Sequence, residues 1–237
     1  MHRRLMAIVA FLVAPATAAS AGAQVSHPLE RDCSSGPGFI ACLRQGETAL
    51  LKLHPRFGHR RSNALVLLLT NGDSTIVRDT ISDSTDYYSS YTLEEVNEHS
   101  GYFVLAHQGY EDRGSLVISR RGGWRKYLDF NLPVFDPEAR YAVVTVPVDA
   151  AFWEPSIDIY RVTPDSLIRE VHWRSPEEPD PFVRGDTLWG PETPRWQSGR
   201  LLFDTEETLV RNRLQQWPSQ PMFVEKVNGR WMLRKGK

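Results

Sequence analysis

The chain has 237 residues, with 28 basic and 29 acidic side chains that give a net charge of −1. This balance argues against a nucleic-acid-binding protein, which normally concentrates basic residues on one face. With 41% hydrophobic residues the chain can build a folded core, and its length fits one domain preceded by a short leader.

Residues 1–23 have the three zones of a secretory signal peptide: a basic start with Arg3 and Arg4, an apolar run at 5–13, and small residues ending at Ala23. The apolar run is too short to span a bilayer, which needs about 20 residues. We therefore predict cleavage near Ala23 and a protein of the periplasm or the cell exterior, without a membrane span. Loss of the two arginines would make the mature protein more acidic.

The two cysteines, Cys33 and Cys42, flank a Gly-Pro-Gly segment. In an oxidising compartment such a close pair most simply forms a disulfide. The pair lacks the CxxC spacing of redox and metal sites, so the prediction is a structural bond.

Residues 24–237 are predicted to form a single β-rich domain, because short apolar or alternating runs recur between turn residues. The first hairpin is predicted from the run at 63–70, the turn Asn71-Gly72-Asp73 and the run at 74–80. Further strands are predicted at 102–108, 115–119, 124–128, 141–147, 157–162, 167–173, 201–205, 222–227 and 231–233.

Helical periodicity is nearly absent. The weak alternation at 47–53 favours a strand, and 206–216 fits either a short helix or a hairpin excursion. His54 and His59 lie among Pro55, Arg56, Arg60 and Arg61, which is typical of a basic surface loop.

Three segments repeat a turn followed by a strand, at 97–104, 135–143 and 196–203. Tyr102 and Tyr141 are 39 positions apart, and Leu201 follows 60 positions later, with a Pro/Glu-rich insertion at 175–194 between them. A spacing of about 40 to 50 residues with several strands per unit is typical of β-propeller blades. The fold is therefore predicted to be all-β, with antiparallel meander repeats in a small or incomplete propeller. A β-sandwich or barrel is the alternative.

Residues 135–141, Phe-Asp-Pro-Glu-Ala-Arg-Tyr, resemble the F-S-P-D-G-R-Y turn of the WD40-like repeats in TolB-type periplasmic propellers, and residues 194–200 resemble a second copy. This chain departs from the pattern at Glu138-Ala139, where Asp-Gly would supply a positive φ. Separately, residues 42–79 resemble the start of the small periplasmic C-type lysozyme inhibitors.

The sequence contains no G-x-S-x-G nucleophile turn, no HExxH zinc motif and no Gly-rich phosphate loop. His99 and Ser100 are adjacent but occur in a predicted polar turn. The acidic residues are numerous, yet glycosidase chemistry requires two carboxylates at a fixed separation. No cofactor and no metal is predicted.

Two long segments carry aromatic residues outside any alternation, and binding residues concentrate on such loops. The first contains Asp149, Phe152, Trp153 and Glu154. The second runs from Trp173 to Trp196 and contains Arg184 and Trp189. The alternative is that these aromatics pack one blade against another. We predict a ligand that is a protein or glycan of the cell envelope, and no nucleic acid.

The leading functional hypothesis is an exported, non-catalytic binding protein. A second is a hydrolase of an envelope polymer that uses acids such as Asp149 and Glu154. A third is a defence protein similar to the lysozyme inhibitors, acting through an exposed N-terminal loop.

Overall fold

The computed structural model describes residues 24–26, 39–81, 88–109, 113–129, 131–147, 154–174, 183–184, 187–209 and 221–236. Antiparallel strands dominate these residues, and a single α-helix occurs among them. The prediction of an all-β fold built from antiparallel meanders is therefore confirmed.

The helix α1 (Phe39–Leu53) corrects one prediction. The weak alternation at 47–53 suggested a strand, but Glu47, Leu50 and Leu51 are buried together on one side of the helix. That spacing of three and four residues is the helical period. After α1 the chain makes one 3₁₀ turn (Pro55–Phe57), and Phe57 at its end is fully buried.

The strands follow one another along the chain with few long excursions. They are β1 (Gln24–Ser26), β2 (Gly58–Arg61), β3 (Ala64–Leu68), β4 (Ser74–Arg78), β5 (Thr80–Ile81), β6 (Tyr88–Asn97), β7 (Tyr102–Gly109), β8 (Arg113–Ser119), β9 (Arg125–Asp129), β10 (Val134–Phe135), β11 (Tyr141–Val146), β12 (Ser156–Thr163), β13 (Ser166–Arg174), β14 (Val183–Arg184), β15 (Thr187–Gln197), β16 (Arg200–Leu209), β17 (Met222–Val227) and β18 (Arg230–Lys235).

These strands form four antiparallel sheets. Sheet I has the order β2-β3-β4, and sheet II has the order β1-β6-β7-β8-β9 with β5 also paired to β6. Sheet III has the order β10-β11-β12-β13, and sheet IV has the order β14-β15-β16-β17-β18. In sheets III and IV each strand pairs with the next in the chain, which is the meander that the recurring hairpins predicted.

Successive sheets pack face to face through three separate apolar clusters. The first joins α1 and sheet I to sheet II, the second joins sheet II to sheet III, and the third joins sheet III to sheet IV. No core cluster among the described residues joins sheet I to sheet IV. Blades of a propeller pack in this serial way, whereas a sandwich has one core between two sheets. Among the described residues the sheets are therefore arranged in series, as in a propeller-like fold, and do not close into a ring.

The two middle sheets are buried on both faces, which explains their continuous apolar runs. On β7, Phe103 contributes to the first cluster, whereas its neighbours Tyr102 and Val104 contribute to the second. On β11, Val143 contributes to the third cluster and Val144 to the second. Because successive strand residues face opposite sides, only unbroken apolar sequences can fill both cores.

Two further predictions about loops were wrong. The segment 54–61 was expected to be a basic surface loop, but Gly58–Arg61 is strand β2, paired with β3. The segment from Trp173 to Trp196 was expected to be one long loop, but its described parts include β14 and β15, and β15 pairs with β16 along most of its length. No α-helix among the described residues is long and apolar enough to cross a membrane.

Candidate functional site

The hairpin turns of sheets II, III and IV approach one another at one edge of the array, which we call the turn rim. It comprises the turns at 98–101, 120–124, 136–140, 164–165, 198–199 and 228–229. Hydrogen bonds between sheets support it: the Tyr102 hydroxyl donates to the Thr163 carbonyl at 2.6 Å, and the Ser119 hydroxyl donates to the Pro164 carbonyl at 2.8 Å.

The turn at 136–140 is held by the buried Asp136. Its Oδ1 accepts the Tyr141 N–H at 2.8 Å, and its carbonyl accepts the Ala139 N–H at 2.8 Å. Ala139 has φ +52°, so the turn takes the left-handed conformation even without glycine. In the related turn of sheet IV, Ser198 and Gly199 also have positive φ, at +49° and +73°. Tyr141 follows the first turn and Arg200 follows the second, so both turns are followed by a large side chain at the rim.

Three aromatic rings meet where the turn rim passes from sheet III to sheet IV. Tyr141 begins β11, Trp196 lies near the end of β15, and Trp231 lies at the start of β18. The centroid of the Tyr141 ring is 4.9 Å from that of Trp231, in an edge-to-face arrangement, and 6.4 Å from that of Trp196, in a stacked one. All three side chains are partly exposed. With Lys226 and Glu170 they form what we call the aromatic cleft.

Lys226 lies over two of these rings. Its Nζ is 5.1 Å from the centroid of Tyr141 and 5.3 Å from that of Trp231, within the range of cation–π attraction. The same Nζ donates to Glu170 Oε2 at 2.6 Å and to the Tyr141 hydroxyl at 3.2 Å. The ammonium group therefore ties β17 of sheet IV to β11 and β13 of sheet III.

Glu170 is the hydrogen-bonding centre of the cleft. It accepts from Lys226, from the Trp231 indole N–H at 3.0 Å and from Arg161 Nε at 3.2 Å. Burial raises the pKa of Glu170, but these hydrogen bonds outweigh that effect and hold the pKa below its ordinary value. The bond to Glu170 also raises the pKa of Lys226, against the opposing effect of burial. Both groups are thus charged at neutral pH.

The rings are held in place by their own polar atoms. The Trp196 indole N–H donates to the Val134 carbonyl at 2.9 Å, and the Trp231 indole N–H donates to Glu170. Since both indole donors are used inside the protein, a ligand would meet the exposed faces and edges of the rings rather than their N–H groups. A fixed aromatic surface loses little conformational entropy when a ligand binds.

Two concave spaces flank Lys226 and Trp231. One has a volume of about 460 Å³ and lies between the rim turns of sheets III and IV, lined by Asp136, Arg140, Tyr141, Trp196, Ser198, Gly199, Arg200, Glu225, Lys226, Gly229 and Trp231. The other has a volume of about 590 Å³ and is lined by Glu170, Val171, His172, Trp173, Lys226, Gly229, Arg230 and Trp231. Both volumes fall in the range of small-ligand sites.

The carboxylates along these spaces are each held by other groups. Glu225 accepts from Arg200 at 2.9 Å and pairs with Arg234 at 2.9 Å, and Glu170 is shared by Lys226 and Arg161. Each of these two acids is therefore matched by two cations, which leaves local positive charge. Such an arrangement favours binding over the acid–base work of a glycosidase.

The site residues predicted from sequence lie elsewhere or outside the described residues. Asp149, Phe152 and Trp153 are outside them. Arg184 lies in β14 and Trp189 in β15, and only their backbone is described. Glu154 is exposed and pairs with Arg174 at 3.1 Å, at the end of the β12–β13 hairpin away from the turn rim. Of the predicted disulfide, Cys42 lies in α1 and Cys33 is outside the described residues.

Tyr141 and Trp231 were not predicted as site residues because each has the ordinary composition of a strand, and Trp196 was noted only as the end of a predicted binding loop. Tyr141 and Trp231 begin predicted strands, and Trp196 ended a predicted loop. One signal was available: all three lie within three residues of a turn, at 136–140, 198–199 or 228–229. Residues beside such turns meet at a sheet edge, but a single sequence does not reveal which edges are neighbours.

The fold and the cleft together define an all-β meander protein with an aromatic, positively charged groove between its last two sheets. Comparison with protein-family models found no match, and comparisons with curated proteins and with solved structures found no significant similarity. The resemblances to TolB-type repeats and to C-type lysozyme inhibitors thus stay predictions.

Proposed function

We propose that this protein is exported and that its aromatic cleft is a non-catalytic binding site for a glycan of the cell envelope or exterior. The observation that carries the proposal is the group of three partly exposed rings, Tyr141, Trp196 and Trp231, around the paired Lys226 and Glu170. The rings offer flat apolar surfaces, and the charged pairs beside them offer hydrogen bonds.

A glycan fits this combination better than a protein surface does. Sugar rings present C–H faces that pack on aromatic rings, and their hydroxyl groups both donate and accept hydrogen bonds. The two concave spaces of about 460 and 590 Å³ suit units of that size, whereas protein interfaces are broad. The excess of cations beside Glu225 and Glu170 favours sugars that carry carboxylate or other acidic groups.

Export is part of the same proposal and is supported by the leader-like residues 1–23. The predicted disulfide between Cys33 and Cys42 is supported by the fact that Cys42 is not a free thiol. A bond formed in an oxidising compartment would anchor the segment before α1. Mass spectrometry of non-reduced peptides would find these two cysteines in one linked species.

Binding can be tested with a glycan array that includes acidic envelope polysaccharides, followed by titration of any hit with intrinsic tryptophan fluorescence. Stacking of a sugar on Trp231 or Trp196 changes the fluorescence of the indole. We expect Trp231→Ala to weaken binding at least about tenfold, which corresponds to about 1.4 kcal/mol and is typical of a central aromatic contact. Tyr141→Ala should have a similar effect.

Met232→Ala is the matched control, because Met232 is the next residue on β18, points to the opposite face and is 44% exposed. It should bind like the wild-type protein. Equal affinities of the Trp231→Ala and Met232→Ala variants would remove the cleft from the proposal. Capture of an envelope protein, without binding to any glycan, would overturn the ligand class.

A further inference from the structure

A row of three hydrogen-bonded side chains crosses sheet II, far along the chain from the aromatic cleft. Ser89 Oγ on β6 is 2.7 Å from Nε2 of His107 on β7, and Nδ1 of the same imidazole is 2.6 Å from the Tyr127 hydroxyl on β9. In the antiparallel register, His107 lies opposite Tyr91. Ser89 is two residues from Tyr91 on the same face, in the diagonal position that long side chains can reach.

The contact between His107 and Tyr127 depends on a missing side chain. Gly114 on the intervening strand β8 lies opposite His107 in the register. A Cβ atom built on Gly114 would be 2.6 Å from the Tyr127 hydroxyl oxygen, so any larger residue would occupy the space in which the two side chains meet. The glycine allows the hydrogen bond to cross a strand.

The imidazole of His107 is held in one place from several sides. The side chain is 7% exposed, the Tyr91 ring centroid is 4.8 Å from its own, and the Tyr127 ring lies edge-on at 5.2 Å. When Nδ1 carries the proton and donates it to the Tyr127 hydroxyl, Nε2 accepts the hydrogen bond from Ser89 Oγ. Ser89 itself is partly exposed.

This is the geometry of an activated nucleophile: a hydroxyl within hydrogen-bond reach of a base, and the base oriented by a third group. We propose that Ser89 is a nucleophile for acyl transfer, with His107 as its general base and Tyr127 as the residue that positions the imidazole. The substrate class is a carboxylic ester. This activity is independent of the glycan-binding proposal, because the row lies in sheet II and the cleft lies between sheets III and IV.

The reaction balances without any cofactor. Ser89 Oγ forms a bond to the ester carbonyl carbon while its proton moves to His107 Nε2 and the carbonyl electron pair moves to oxygen. The bond from that carbon to the alcohol oxygen then breaks, and the alcohol leaves with the proton from His107. Water releases the acyl group from Ser89 in a second step with the same proton transfers reversed.

The test uses a fluorophosphonate probe on the purified full chain. Attack of Ser89 Oγ on phosphorus expels fluoride, transfers the proton to His107 and leaves a stable adduct that peptide mass spectrometry can locate. We expect an adduct on Ser89 of the wild-type protein and none at that site in Ser89→Ala. We also expect labelling to be at least about a hundredfold slower in His107→Gln, which is the lower end of the range for a lost general base.

Exposed Ser74 on β4 provides a matched control, and Ser74→Ala should be labelled like the wild-type protein. Because His107→Gln could disturb folding, the conservative variant Ser89→Cys supplies a second readout: its alkylation by iodoacetamide should be faster than that of Ser74→Cys, and Tyr127→Phe should slow it. No adduct on Ser89, an adduct whose rate does not depend on His107, or equal alkylation of the two cysteine variants would overturn the proposal.

Discussion

Glu94 gives the most specific prediction about stability. It lies at the β-bulge of β6, where the register with β7 shifts between Leu93 and Glu95. Burial, and secondarily the negative charge of Glu47, raise its pKa from 4.5 to about 7. The folded protein therefore binds the Glu94 proton more tightly than the unfolded chain does, and ionisation of Glu94 lowers the free energy of unfolding.

The expected size follows from linkage between protonation and folding. Between pH 4.5 and pH 7 the folded protein keeps a proton that the unfolded chain loses, so the contribution of Glu94 to stability falls as the pH rises. A difference of this size corresponds to a penalty of about 3 kcal/mol once both states are ionised. Glu94→Gln is always neutral, and its stability advantage over the wild-type protein should grow by about 2 to 3 kcal/mol from pH 5 to pH 8.

Urea denaturation of both proteins at several pH values measures this difference, and the comparison cancels the titration of histidines that both share. Glu138→Gln is the control: Glu138 lies in the turn at 136–140 with a side chain that is 69% exposed, so its effect should be small at every pH. A wild-type to Glu94→Gln difference that stays constant from pH 5 to pH 8 would refute the reasoning.

Three other substitutions test the fold by urea denaturation. Ala139→Gly should stabilise the protein by about 0.5 to 1 kcal/mol, because relief of left-handed strain exceeds the entropy cost of glycine. Glu47→Ala should cost about 3 to 5 kcal/mol, since it removes the buried carboxylate that accepts from both Arg60 and the Leu93 N–H. Phe103→Ala should also cost about 3 to 5 kcal/mol, because this ring is fully buried in the first cluster; a loss below 1 kcal/mol would contradict that placement.

The sequence was informative wherever a local pattern determines the structure. The Asn71-Gly72 turn predicted the hairpin of β3 and β4, and Gly72 has φ +90° as such turns require. The turn at 136–140 and the strands that follow it were placed within a residue or two. Both features depend only on neighbouring residues, so one chain is enough to reveal them.

Prediction was wrong where a distant partner decides the outcome. Strand β2 reads Gly-His-Arg-Arg and has no apolar alternation, yet the half-buried Arg60 on this strand pairs with Glu47 of α1 and with Asp79, a carboxylate that lies after β4. Such a strand is stabilised by its ion pairs and by pairing with β3, neither of which is visible in composition. The helix α1 was missed because much of its apolar face was assigned to a strand, on a segment too short to separate the two periods.

Both candidate sites also depend on partners that are distant along the chain, and this explains why neither was found from sequence. The aromatic cleft needs Tyr141 from sheet III beside Trp231 from sheet IV, and the packing of those sheets is set by the third apolar cluster. The row in sheet II needs Ser89 and His107 in one register and a glycine between His107 and Tyr127. In both cases the informative feature is a pair of positions brought together by strand pairing. A sequence motif is defined by spacing along the chain. A site assembled across paired strands has no fixed spacing, so it is not recognised even though each of its residues can be read in the sequence.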